Sequence, residues 1–318
     1  MAKKHIKKPN QIIMSKRANV FYLEHCRVHM MDGRLVFIGD QGNKFEQYFN
    51  LPDRNTIFLM LGKGTSITDA AARRLAESNV LFAFCGSGGS PLVSAVDPIF
   101  VEPKSEYRPT EYMQAWFRIW MDDNRRREAA KRMLICRNHL TSEIWSSNAE
   151  IDHLNVGSML VAYDPIINAC ETEADLLAIE GEIAKRLYRL LRDRFGKLKF
   201  IRQQGRRSEQ TVEDRINALL DHGNYIAYGY AAVAINTLGI SFSLPLLHGK
   251  TRRGALVFDI ADMIKDALVM PAAFLHGVKG SDDQVFRSAL VESCMDHEVL
   301  DIMFGFIQNE CKNARQKQ

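Results

Sequence analysis

Between Asn19 and Cys85 the apolar positions come in short runs: NVFYLEHCRVHMM, RLVFIG, KFEQYF, TIFLML and VLFAFCG. Runs of this length, rich in β-branched and aromatic residues, predict strands. Asp32-Gly33 between two of them places a hairpin turn. One helical stretch interrupts the pattern, SITDAAARRLAES, with Ser66 or Thr68 available as its cap. From Thr110 the period changes to that of helices: a long segment rich in Trp, Met and Arg, then helices at about 172–196, 209–221, 224–239, 258–268 and 284–312. Four of the nine prolines fall between Pro91 and Pro109, a density that blocks regular structure. The expected fold class is therefore α+β, a small N-terminal β-rich domain at 1–90, a Pro-rich linker at 91–109 and a larger all-α domain at 110–318.

One stretch imitates a membrane span, because no Asp, Glu, Lys or Arg lies between His222 and His248. Gly229, Asn236, Gly239 and Pro245 interrupt it, which favours a buried helix of a soluble protein. The basic opening MAKKHIKKPNQIIMSKR lacks the apolar core and cleavage site of a secretory signal. Six scattered cysteines with no CxxC pair argue against a zinc ribbon or a disulfide framework, so a cytoplasmic setting is expected.

Composition excludes wholesale disorder, since 46% of the residues are apolar and 25% charged. The balance of 42 Lys+Arg against 38 Asp+Glu is too mild to name a partner, so the distribution of charge has to do so. From Lys185 to Arg207 ten basic residues face one acid, Asp193. Lys185, Arg186, Arg189 and Arg192 fall on one helix face and read as solvated. The loop residues Arg202, Arg206, Arg207, Lys250, Arg252 and Arg253 are better candidates for holding the phosphates of a polyanion. A further basic cluster runs from Arg125 through Arg126, Arg127, Lys131 and Arg132 to Arg137.

In ADLLAIEGEIAKRLYRLL, Leu176, Leu177, Ile183, Ala184, Leu187, Leu190 and Leu191 form an apolar stripe from which Glu180 projects, while Glu182 lies on the polar face. A lone carboxylate there must be paired with an arginine, protonated or bound to a metal. In LHGKTRRGALVFDIADMIKD, Asp259, Asp262 and Asp266 crowd within roughly 60° of one helix face. Like charges so close call for a cation or for solvent. His248 precedes Asp259 by eleven residues in a loop. One imidazole among carboxylates suits Mg²⁺ or Mn²⁺ better than structural Zn²⁺. Two glycine-rich pieces, LGKGTSIT and CGSGG, lack the spacing of a phosphate loop or a dinucleotide fingerprint.

Taken together, LLAIEGEIAKRLY, NALLDHGNYIAYGYAA and HGKTRRGALVFDIADMIKDAL closely resemble the motifs of the CRISPR-associated spacer-acquisition integrases, in order and over nearly the whole chain. The uninterrupted last segment and the LGKGTSIT turn resemble the F subtype of type I systems. The resemblance implies metal ligands at Glu180, His248 and Asp262, with Asp259 completing the catalytic set, and gives Asp266 no assured role. It leaves open which of Tyr225, Tyr228 and Tyr230 supports DNA. It further implies a homodimer joined through the N-terminal domains, a partnership with a small adaptation protein fused to the interference helicase–nuclease, and DNA substrates, a prespacer and the CRISPR repeat. The implied reaction joins prespacer 3′-hydroxyls to the repeat by metal-assisted transesterification. Rival readings of the same residues are a metal-dependent, structure-selective repair nuclease and a non-catalytic DNA-binding scaffold.

Overall fold

A computed structural model describes residues 19–39, 48–84, 110–203, 211–249 and 254–316. The Pro-rich linker and the candidate phosphate contacts Arg206, Arg207, Lys250, Arg252 and Arg253 lie outside the described residues. The described residues divide into two compact units, one up to Ala83 and one from Thr110 onward.

The first unit is strand-rich. β1 (Asn19–Leu23) runs parallel to β5 (Thr56–Leu61), whose other neighbour is β7 (Leu81–Phe84). The second sheet has the order β4 (Tyr48–Asn50), β3 (Arg34–Gly39), β2 (Cys26–Met31), β6 (Ser66–Ile67). Asp32 and Gly33 both take positive φ, 49° and 74°, the turn that lets β2 and β3 pair as an antiparallel hairpin. The expected single run NVFYLEHCRVHMM is split between the two sheets at Glu24-His25, where His25 takes φ 47° and its N–H bonds the Lys63 carbonyl. α1 (Asp69–Glu77) is capped by Thr68, which accepts from Ala71 N–H; Ser66 belongs to β6 instead. Ala71 and Leu75 of α1 close a core with Val28, Leu35, Leu59, Leu61 and Phe82.

The second unit is all helix: α2 (Thr110–Met121), α3 (Asp123–Ser147), the short α4 (Val156–Val161) and α5 (Asp164–Ala169), α6 (Glu173–Arg194), α7 (Val212–Thr237), α8 (Ala255–Ile264), α9 (Met270–Lys279), α10 (Asp283–Asp296) and α11 (Val299–Gln316). Asp122 separates α2 from α3 by accepting from the N–H groups of Asn124 and Arg125. The helices expected at 209–221 and 224–239 are one, opened by a reciprocal Thr211–Asp214 capping box. Gly223 does not break α7, because it is there for closeness: a Cβ would come within 2.5 Å of Val269 Cγ1 and 3.1 Å of Phe286 Cζ. The helix expected at 284–312 is two, divided where Glu298 takes φ 49°. Among the described residues no helix is long and apolar enough to cross a membrane.

The helix expected at 258–268 is a longer run with a wide π turn, Lys265–Val269, between α8 and α9. Pro271 has no N–H to return to the Asp266 carbonyl five residues back. The indole Nε1 of buried Trp145, on α3, donates to that carbonyl at 3.0 Å instead. The turn is thereby satisfied from a neighbouring helix, and it sits directly after the aspartates of α8.

Candidate metal centre

Glu180 comes from α6, whose Thr172 cap and acidic first turn suit its amino end. Leu176, Ile183, Leu187 and Leu191 bury one stripe of α6, while Leu177, expected in that stripe, is 40% exposed. Glu180 keeps 14% of its side chain exposed and meets the Arg137 guanidinium of α3. Arg137 also holds Asp266, through Nε at 2.8 Å and a second nitrogen at 2.6 Å. Asp266 therefore serves as the counter-charge that fixes Arg137. Glu180 thus takes part in a Glu–Arg pair, one of the readings its place in the apolar stripe left open.

Asp259 is fully buried and accepts from the backbone N–H groups of Leu246, Leu247 and His248 at 2.6, 3.3 and 3.0 Å. It also takes His248 Nδ1 at 2.7 Å. An ionised carboxylate only accepts, so Nδ1 carries the proton and the Nε2 lone pair is turned the other way. Asp259 thus pins the loop and sets the tautomer of His248, the arrangement that metal-binding histidines commonly have. On the far side of the ring, Nε2 lies 3.6 Å from Asp262 Oδ2. Burial works against the imidazolium, but the Asp259 hydrogen bond and the charges of Asp262, Asp259 and Glu180 outweigh it and hold the His248 pKa above its usual value. Burial likewise works against the Asp262 carboxylate, and the nearby cations Lys265, Arg137 and His248 bring it below the usual range all the same.

Glu180, His248 and Asp262 each offer one ligand atom, all within 4.8 Å of one another. Two ligands bound at about 2.1 Å to one ion stand at most about 4.2 Å apart, so the set is close to the span one divalent ion bridges, and two oxygens with one nitrogen favour Mg²⁺ or Mn²⁺ over a thiolate-seeking metal. Asp259 stands behind the ligands rather than among them.

The described basic residues differ in how far the fold engages them. Arg126 pairs with Glu173 and Asp123, Lys131 with Glu128 and the Asn168 carbonyl, and Arg132 with Glu310. That cluster ties helices together. Arg202 is held by Asp221 at 2.5 Å and by Asn217, so its guanidinium is already engaged within the fold. Lys185, Arg186 and Arg189 are exposed. Of the three tyrosines, Tyr230 is buried in the core, whereas Tyr228 faces the centre and accepts from Lys265 Nζ at 3.1 Å. Two participants escaped sequence reasoning. Arg137 stood within a basic cluster with no sign of its partners, and Lys265 was marked only by its position three residues after Asp262.

The model of the family "CRISPR associated protein Cas1" matches residues 21–282. A CRISPR-associated endonuclease Cas1 from Pectobacterium atrosepticum is 42% identical, over 96% of this chain and 95% of the relative. Another of that name from Pseudomonas aeruginosa is 40% identical over 95% of each. Among solved structures, that of a TtCas1–DNA complex superposes with a TM-score of 0.65 over 92% of this chain and 90% of that one, at 24% identity, a likeness of fold. A strand-rich unit followed by a helical one, a Glu–His–Asp cluster in the latter and relatives matched nearly end to end lead to one family: the chain belongs to the Cas1 proteins of CRISPR systems.

Proposed function

We propose that this Cas1-family enzyme joins the 3′-hydroxyl ends of a prespacer to a CRISPR repeat, with one Mg²⁺ or Mn²⁺ held by Glu180, His248 and Asp262. The observation that carries the reading is the convergence of those three ligand atoms, drawn from α6, from the loop after α7 and from α8. A bound ion would polarise the phosphoryl oxygen and stabilise charge on the departing oxygen. The chain's own residues prepare the place. Asp259 keeps the His248 proton on Nδ1 and leaves Nε2 free to bind, while Arg137 and Lys265 orient the two carboxylates. In the reaction the prespacer 3′-oxygen bonds to phosphorus as the bond to the repeat's 3′-oxygen breaks. The proton lost by the first hydroxyl is matched by the one the second gains, so no covalent enzyme intermediate is needed. Lys250, Arg252, Arg253, Arg206 and Arg207 hold backbone phosphates; Arg202 positions its loop through Asp221.

The assembly belongs to the same proposal: an N-terminal domain at 1–90 that pairs two copies, a linker at 91–109, a catalytic domain at 110–318, and a cytoplasmic complex with a small adaptation protein fused to the helicase–nuclease. The test is strand transfer with a labelled prespacer and a repeat-containing duplex, with and without Mn²⁺. A longer, joined product that requires Mn²⁺ and is lost in Glu180→Ala, His248→Ala and Asp262→Ala supports the reading. Shortened strands with no joined product reduce the enzyme to a nuclease that uses water.

A further inference from the structure

Each candidate ligand has a partner within the fold: Arg137 on Glu180, Asp259 on His248 and Lys265 on Asp262. Two of those partners are cations, and they differ. Arg137 is shared with Asp266, so its charge is matched a second time away from the ligands. Lys265 directs its ammonium to Asp262 Oδ1 at 2.5 Å. On its other side Tyr228 holds it, by the hydroxyl at 3.1 Å and by the ring face, whose centroid is 4.5 Å away. Tyr228 is itself fixed edge-on against Phe258 of α8, with centroids 4.7 Å apart.

The geometry of Asp262 gives this arrangement a direction. Its Oδ1 meets the ammonium and its Oδ2 faces His248 Nε2 at 3.6 Å. One carboxylate thus stands between a tethered monovalent cation and the place where three ligand atoms converge. Lys265 also opens the π turn, a feature that recurs at functional sites because it departs from the helical register.

We propose that Lys265 is a positioning residue of the metal centre: an internal cation that balances Asp262 in the ion-free protein, keeps Oδ2 turned toward His248 and, as a like charge beside the ion, holds the protein's own affinity for divalent metal low. The proposal rests on the metal reading above and concerns what regulates that site. Two positive centres separated by one buried carboxylate repel with little solvent between them, so removing the ammonium strengthens ion binding at least about ten-fold.

The test is calorimetric titration of the full chain with Mn²⁺ alone, without DNA, together with melting curves, for wild type, Lys265→Met, Lys265→Arg and a Glu180→Gln control. Expected are Mn²⁺ binding to Lys265→Met at least ten-fold tighter than wild type, a lower melting temperature without metal, a larger Mn²⁺-induced rise, and near wild-type affinity in Lys265→Arg. A lysine that merely supports the fold predicts unchanged or weaker Mn²⁺ binding in Lys265→Met, and that result overturns the proposal. Should Lys265→Met not fold alone, recovery on adding Mn²⁺ supports the idea, and failure of both it and Lys265→Gln to recover at any Mn²⁺ concentration refutes it. A wild-type protein with no Glu180-dependent Mn²⁺ binding ends the metal reading and this one together; normal wild-type binding with no change in Lys265→Met ends this one alone.

Discussion

Asp259 shows how a residue outside the three candidate ligands can orient one of them. Its carboxylate accepts three backbone N–H groups and the imidazole Nδ1–H in a fully buried place. Asp259→Asn removes the charge that fixes the tautomer and puts an NH₂ against donors, so Mn²⁺ affinity is expected to fall about 10- to 100-fold, read by calorimetry alongside a circular-dichroism check of folding. Glu182, two residues from Glu180, supplies the contrast. It is half exposed and accepts from Tyr163 OH at 2.7 Å and Arg186 at 3.2 Å. Glu182→Ala is expected to lower stability by no more than about 1 kcal/mol in urea unfolding and to leave strand transfer at the wild-type rate, since exposed pairs are weak. Loss of transfer in that variant would mean the functional face of α6 has been misassigned.

At the scale of elements, the helical run from α8 to α9 is held in its unusual register by contacts from outside itself. Trp145→Phe strips the Asp266 carbonyl of its donor in a buried place, and a loss of about 1–3 kcal/mol is expected in chemical unfolding. Gly223→Ala pushes a methyl into Val269 of the same turn, with an expected cost of about 1–3 kcal/mol and weaker Mn²⁺ binding if the turn is displaced. These two residues also mark the limits of what could be read in advance. The Asp32-Gly33 hairpin and the Thr68 cap were legible because short-range chemistry determines them. Gly223 in α7 resembled a helix break because a packing glycine and a breaking glycine look alike without their neighbours. Glu298 divides α10 from α11 with neither Gly nor Pro to announce it. In the same way Glu180, Asp259 and Asp262 stood out as carboxylates crowded or set among apolar residues, and His248 was singled out by the family resemblance, whereas Arg137 meets partners 43 and 129 residues away, a relation no local pattern carries.

For the molecule as a whole, the two units call for separate tests. A fragment beginning at Thr110 is expected to fold and to bind Mn²⁺ through Glu180, but to sediment as a monomer and lose strand transfer, if pairing resides in the strand-rich unit. In the full chain, the triple variant Lys250→Ala, Arg252→Ala, Arg253→Ala is expected to weaken binding to every duplex alike and to reduce the salt slope by roughly one unit per lost contact, measured across a salt series. Fully retained dimerisation by the fragment, or an unchanged slope, would reassign those roles. The order of the ligands along the chain has a consequence for biosynthesis. Glu180 is made first, then all of α7, and only afterwards His248 and Asp262. Because chains emerge and fold from the amino end, a nascent or prematurely terminated product that stops within α7 carries one ligand of three. A chain broken off before Asp262 therefore lacks at least one of the three proposed ligands, and only products that extend past it carry the complete set.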